Sequence, residues 1–219
     1  AKFETPYRNF FKHIVVIDDL AKKTHDCDLL LDQTPERLAK DYYGLVPKHT
    51  KLLIGPQYAL LRPNFLAYRN RALKRRKDIP NPNCILIMLG FTDPLSITPK
   101  VLSVAHKVCV DSPIDILLSS NAPCIPELNK MLSREMPRAR LFTDQLDAVD
   151  ILLRADICIG AGGISALERC CLGLPTILLT TASNQVELAR SLDLAGAVEL
   201  LGPPNSSFEK HLENSLLNL

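Results

Sequence analysis

The chain has 219 residues, 47% of them hydrophobic, and a formal net charge of +2. That composition can bury a core and excludes a disordered chain, and so small a charge gives no bulk argument for nucleic acid. No apolar run is long enough for a membrane-spanning helix.

The first residues, AKFETPYRNFFKHIVVIDD, hold no signal-peptide core. The chain opens on Ala1 rather than methionine, with a strand almost at once, so it reads as a portion of something longer. The seven cysteines are an odd number without C-x-x-C spacing, which fits reduced thiols and a cytoplasmic location rather than disulfides or zinc.

In chain order, apolar strand patterns fall at 13–17, 28–32, 51–55, 84–89, 115–119, 139–143, 156–160, 176–180 and 197–200. Several are unbroken Val/Ile/Leu runs, as in a parallel sheet covered on both faces. Helical patterns lie between them at 36–42, 63–76, 98–109, 125–136, 145–154, 164–172, 184–194 and 206–218. Thr98-Pro99 reads as an N-cap followed by proline at the first helical position. The alternation predicts a doubly wound α/β architecture.

The basic helix and Pro/Asn turn at 66–83 read as a linker. It divides a partial Rossmann-like domain (1–65), the back half of one, from a complete nucleotide-binding Rossmann-like domain (84–219). The basic run reads as a solvated helix face, with phosphate or nucleic-acid contact as the lesser alternative because no aromatic residue interleaves the charges. Strands 13–17, 28–32 and 51–55 would leave an exposed sheet edge, so self-association is expected.

Three polar turns follow strands of the second domain, at the strand ends where open α/β sheets bind ligands. The first is LGFTDP (89–94), with Gly90, Thr92 and Asp93; it reads as a binding turn or as an Asx-type turn that only caps the connection. The second, IGAGGIS (159–165), places Gly160, Gly162 and Gly163 before a helix, where glycine would admit a phosphate close to the backbone. Here Glu168 has two readings: partner of Ser165 in a capping box, or acceptor from two ribose hydroxyls. The third, TTASNQ (180–185), offers Asn184 and Gln185 to sugar hydroxyls or to a helix N-cap. HDCD (25–28) suggests a metal cluster around His25, but its spacing is too tight for all four groups to face one ion. No other histidine has a sequence partner that marks it as catalytic.

VVIDDLAKKTHDCDLLLDQ, GPQYALLRPNF, LGFTDP and IGAGGISALERCCLGLPTILL, followed by NQ, together resemble the PseG family over about residues 12–195. These are nucleotide-sugar hydrolases of pseudaminic acid biosynthesis, similar in fold to MurG-type glycosyltransferases. The resemblance implies a GT-B fold and hydrolysis of UDP-2,4-diacetamido-2,4,6-trideoxy-β-L-altropyranose. Water would attack the anomeric carbon with inversion, with no metal and no cofactor. It implies nucleotide binding by Gly90, Thr92, Gly162, Gly163, Ser165 and Glu168, with Glu168 on the ribose. Asn184 and Gln185, with Tyr58 and Arg62 from the N-terminal side, would meet the sugar. The implied partner is the UDP-sugar alone, with neither nucleic acid nor membrane.

Three departures stand out. Phe91 replaces a glycine of the first turn, and would either crowd a phosphate or turn outward. Gly163-Ile164-Ser165 stands where a Ser-Thr pair is usual. The family's opening G-x-G-H-x-x-R motif, with the proposed general base, has no match, which leaves the catalytic residue unassigned. A MurG-like glycosyltransferase and a non-catalytic UDP-sugar-binding remnant are the competing expectations.

Overall fold

A computed structural model describes residues 3–78, 83–134 and 136–218. Residues 79–82, within the expected Pro/Asn turn, lie outside the described residues. The chain divides into two compact units, 1–60 and 61–219.

The first unit is a parallel three-stranded sheet of β1 (Val15–Ile17), β2 (Leu29–Asp32) and β3 (Lys51–Ile54), in that order. Leu30, Cys27 and Tyr42 form its buried centre, with Val16, Leu52 and Ile54 packed against them. Alternation along β1 turns Val15 and Ile17 outward, 63% and 62% exposed. The helix expected at 36–42 is reduced to a 3-10 turn, Ala39–Tyr42. Glu36 takes a φ of +64°, outside helical geometry, and the Asp41 carboxylate holds the Leu38 N–H at 2.9 Å.

The second unit is a parallel six-stranded sheet. Its strands are β4 (Ile85–Met88), β5 (Ile114–Leu118), β6 (Ala139–Thr143), β7 (Ile157–Ala161), β8 (Thr176–Leu179) and β9 (Glu199–Gly202), ordered β6-β5-β4-β7-β8-β9. Seven helices accompany them among the described residues: α1 (Pro63–Lys77), α2 (Thr98–Val108), α3 (Ile125–Arg134), α4 (Val149–Arg154), α5 (Ser165–Cys171), α6 (Val186–Leu194) and α7 (Phe208–Leu217). The unbroken apolar runs serve two cores. Ile85 and Ile87 pack with Val101, Leu102, Leu128 and Leu212, whereas Leu86 packs with Phe65, Leu152 and Leu172. Successive side chains of β4 thus point to opposite, equally covered faces.

Helix α1, which overlaps the expected linker, is packed within the second unit, with Phe65 and Ala72 fully buried. Its basic run has a structural use. Arg75 donates to the Arg154 carbonyl at 2.8 Å and pairs with Asp156 at 2.7 Å. Arg76 donates to the Leu152 carbonyl at 2.9 Å. The two guanidiniums serve carbonyls that the end of α4 leaves without helical partners. At α2 the cap differs from expectation: Thr98 is the first helical residue, and buried Asp93 accepts the Ile97 and Thr98 N–H groups at 3.2 and 2.8 Å. Helix α4 begins at Val149 rather than 145, where Asp147 accepts the Val149 N–H at 3.1 Å.

Candidate functional site

The strand order reverses between β4 and β7, and in open α/β sheets the crevice beyond that point is where ligands bind. The turns after β4 and β7 are the first two polar turns of the sequence. A cavity of about 230 Å³ lies at these strand ends, lined by Met88, Gly90, Phe91, Leu117, Leu118, Gln145, Leu146 and Ala148 together with Arg62 and Ser165. Gly90 has φ +101° and open space where a Cβ would stand, so this turn needs glycine for its backbone. Phe91 turns outward, 66% exposed, while bordering the cavity. Thr92 is exposed, and Asp93 is committed to capping α2.

The glycines after β7 have other reasons. None has a positive φ. A Cβ on Gly160 would fall 2.6 Å from Cζ of Arg169, and one on Gly162 would lie 3.3 Å from side chains of Leu178, Gln185 and Ala189. At those positions the protein itself fills the space that the sequence reading gave to a phosphate. Gly163 alone of the three is open, its nearest neighbour being Gln185 Nε2 at 3.9 Å.

The capping box does not form. Ser165 is the first residue of α5, the N-cap is Ile164, and no side chain caps the helix. Ser165 Oγ instead accepts from Arg169 Nη1 at 3.2 Å. Glu168, with 15% of its side chain exposed, makes a long ion pair with Arg62, 3.4 Å from Nη2 to Oε1. Arg62 also donates to the Leu146 carbonyl and lies 5.1 Å from the Phe65 ring centroid. It therefore belongs to the second unit, beyond the boundary at Leu60, and not to the N-terminal domain where the sequence reading put it. Tyr58 lies in the first unit, in the 3-10 turn Pro56–Tyr58, 39% exposed.

The third turn stands apart from this cavity. Gln185 Oε1 accepts from the Thr181 N–H at 2.9 Å and the Thr181 hydroxyl at 3.2 Å, which bends the turn onto itself. Asn184 is exposed. A cavity of about 770 Å³ borders Thr180, Thr181, Ala182 and Ser183, and neither Asn184 nor Gln185 lines it. A further cavity of about 470 Å³, lined by Ile157 and Thr176, opens at the opposite ends of β7 and β8 and touches none of the expected site residues. Of those residues, then, one cavity gathers Arg62, Gly90 and Ser165, and Glu168 joins through Arg62.

No histidine lines these three cavities. His25 lies in the first unit, with Nδ1 2.6 Å from Glu4 Oε1 and Nε2 3.7 Å from Asp18 Oδ2. Asp26 and Asp28, which the metal reading would have used, pair with Arg8 at 2.8 and 2.6 Å. Among the described residues no group of three or more His, Cys, Asp and Glu is placed to hold a metal. Burial pushes the Cys124 and Cys158 thiols up to about 11 and raises those of Cys84 and Cys170, so these cysteines are poor nucleophiles.

The residue that the sequence reading missed is Arg169. Its guanidinium is fully buried, donates to the Ala161 carbonyl at 2.7 Å and to Ser165, and lies 4.0 Å from Met88 Sδ. The available signal was the pairing of Ser165 with Arg169 one helical turn later, behind a glycine at 160.

No family model matches the chain. It is 30% identical over 159 residues to the spore coat polysaccharide biosynthesis protein SpsG of Bacillus subtilis, covering 72% of this chain and 45% of that protein. It is also 30% identical over 122 residues to UDP-2,4-diacetamido-2,4,6-trideoxy-beta-L-altropyranose hydrolase of Campylobacter jejuni, covering 56% of this chain and 41% of that one. The matches thus span less than half the length of these relatives. Among solved structures, Acinetobacter baumannii MurG aligns over 98% of this chain and 60% of its own, with TM-score 0.62 and 14% identity. The spinosyn rhamnosyltransferase SpnG, complexed with thymidine diphosphate, aligns over 88% of this chain and 49% of its own, with TM-score 0.54 and 20% identity. The expected fold class holds: the chain is α/β with parallel sheets, a Rossmann-like GT-B fold.

Proposed function

We propose that the chain is part of an enzyme acting on a nucleotide sugar, and that its second unit holds the nucleotide diphosphate at the C-terminal ends of β4 and β7. The observation that carries this reading is the cavity where the strand order reverses, bordered by Gly90, Arg62 and Ser165. In this reading Gly163 and Ser165 face the diphosphate, as does Gly90 with Thr92 beside it, while Gly162 keeps the turn packed against α6. Glu168 leaves Arg62 to accept the ribose hydroxyls; the long ion pair is weak enough to exchange. Asn184 and Gln185 are assigned to the sugar.

The finer proposal is hydrolysis: water displaces UDP from the anomeric carbon of a 2,4-diacetamido-2,4,6-trideoxy sugar. It draws on the sequence resemblance and on the similarity to the Campylobacter jejuni hydrolase. A glycosyltransferase is the second reading, favoured by the fold likeness to MurG and the spinosyn rhamnosyltransferase. UDP release from the UDP-sugar, measured with and without added acceptor, separates the two. Release with water alone supports the hydrolase, and release that needs an acceptor supports the transferase. If neither occurs while UDP still binds, the chain is a binding module.

A further inference from the structure

We propose that Arg169 is the positioning residue that makes the 230 Å³ cavity a diphosphate site, acting through Ser165 from behind the cavity wall. Arg75 meets Asp156, and Arg140 and Arg154 share Asp115, while Arg69 and Arg76 donate to backbone carbonyls; of these arginines only Arg169 is fully buried. The partners of Arg169 are a carbonyl, a hydroxyl and a thioether, none of them charged. Its Nε is buried without any hydrogen-bond partner. A buried guanidinium without a counter-charge is costly, because the low-dielectric interior replaces its hydration poorly. The same low dielectric strengthens its attraction for an anion placed nearby.

Two of those partners, Met88 and Ser165, line the cavity, so the charge lies one side chain behind its surface. Ser165 Oγ accepts from Arg169 Nη1, which leaves the hydroxyl proton free to donate to a ligand oxygen. Polarised in this way, it becomes a stronger donor. Arg62 lines the same cavity and supplies a second positive charge once Glu168 turns to the ribose. The residue type at 160 belongs to this arrangement, since a Cβ there would collide with the guanidinium. The occupant that answers two cations and a serine donor is an oxyanion, and the nucleotide reading above, on which this inference rests, makes it a diphosphate.

The test is a calorimetric titration of inorganic pyrophosphate and of UDP into the wild-type chain, R169M, R169K and S165A, each checked for folding by its melting curve. We expect R169M and S165A to weaken both ligands roughly ten- to hundredfold, the range for hydrogen bonds that involve charge. R169K should recover part of the loss. Lysine restores the charge without spanning Ala161 and Ser165, so recovery separates charge from simple bracing. If R169M does not fold, S165A decides: at one concentration, pyrophosphate should raise the melting point of the wild type more than that of S165A. Unchanged affinity in folded R169M, or R169K as weak as R169M, would overturn the role of Arg169 while leaving the nucleotide reading intact. Pyrophosphate binding that depends on Arg169, without UDP binding, would overturn the nucleotide reading and support the anion site. Binding of neither ligand would overturn both.

Discussion

The two parallel sheets use the same end differently. In the first unit the C-terminal ends of β1 and β2 are filled by the protein's own polar groups. Asp32, fully buried, accepts from Tyr42 Oη at 2.8 Å, Arg37 Nε at 2.7 Å and the Thr34 N–H at 2.8 Å. The single Tyr42 hydroxyl proton is shared with Asp18, whose Oδ2 lies 3.0 Å from Oη, and burial beside Asp32 pushes the phenol well above the usual range. In the second unit the ends of β4, β5 and β7 border an open cavity, and the buried guanidinium behind it lacks a carboxylate. A satisfied polar network fixes one arrangement. An unsatisfied charge beside a cavity calls for a ligand.

Breaking the satisfied end has the largest expected effect. Asp32→Ala removes the buried acceptor that the Arg37 Nε, the Tyr42 hydroxyl and the Thr34 N–H share, and should cost about 3–5 kcal/mol. Hydrogen exchange should show protection lost across β1–β3 and retained in β4–β8; uniform loss would mean that the two units do not respond separately. In the second unit the glycines grade the packing. Gly160→Ala drives a methyl into Arg169 and should cost about 1–3 kcal/mol. Gly162→Ala meets its neighbours at 3.3 Å and should cost less. Equal denaturant midpoints for the pair would contradict the close fit of Arg169 beneath Gly160.

Apart from the cavity, the second unit holds an anchor with a pH signature. Burial raises the Asp156 pKa, but the Cys84 and Asn83 N–H groups and Arg75 outweigh it and hold the carboxyl below its ordinary value. Because the folded pKa is depressed, this contribution is complete above the unfolded carboxylate value, about 3.9, and is lost as pH falls further. Asp156→Asn should therefore destabilise the chain at neutral pH and flatten the acid limb of its stability curve; an unchanged limb would dismiss the anchor. The smallest effect concerns the outward face of β1. Val15→Thr with Ile17→Thr should reduce concentration-dependent association in sedimentation, and a wild type that stays monomeric would remove that expectation.

The fold was largely readable because its signal is repeated. Strands β4, β5 and β7 put side chains into both cores, and each strand of the second unit is followed by a helix. The site was less readable because its residues have local and distant partners at once. Ser165 and Glu168 carry the spacing of a capping box, yet Arg169 and Arg62 take them, and Arg62 is distant in sequence from both. Gly160 and Gly162 resemble a phosphate turn, but the space above them is filled by Arg169 and by α6. Sequence spacing marks a turn; only tertiary packing shows whether its open side faces a ligand or another side chain.

The most direct test of the central claim, a nucleotide diphosphate held at the ends of β4 and β7, is the calorimetric titration of UDP into the chain beside Glu168→Ala. The account predicts micromolar binding, weakened by about 1–3 kcal/mol when the carboxylate is removed. A folded wild-type chain that does not bind UDP would contradict it.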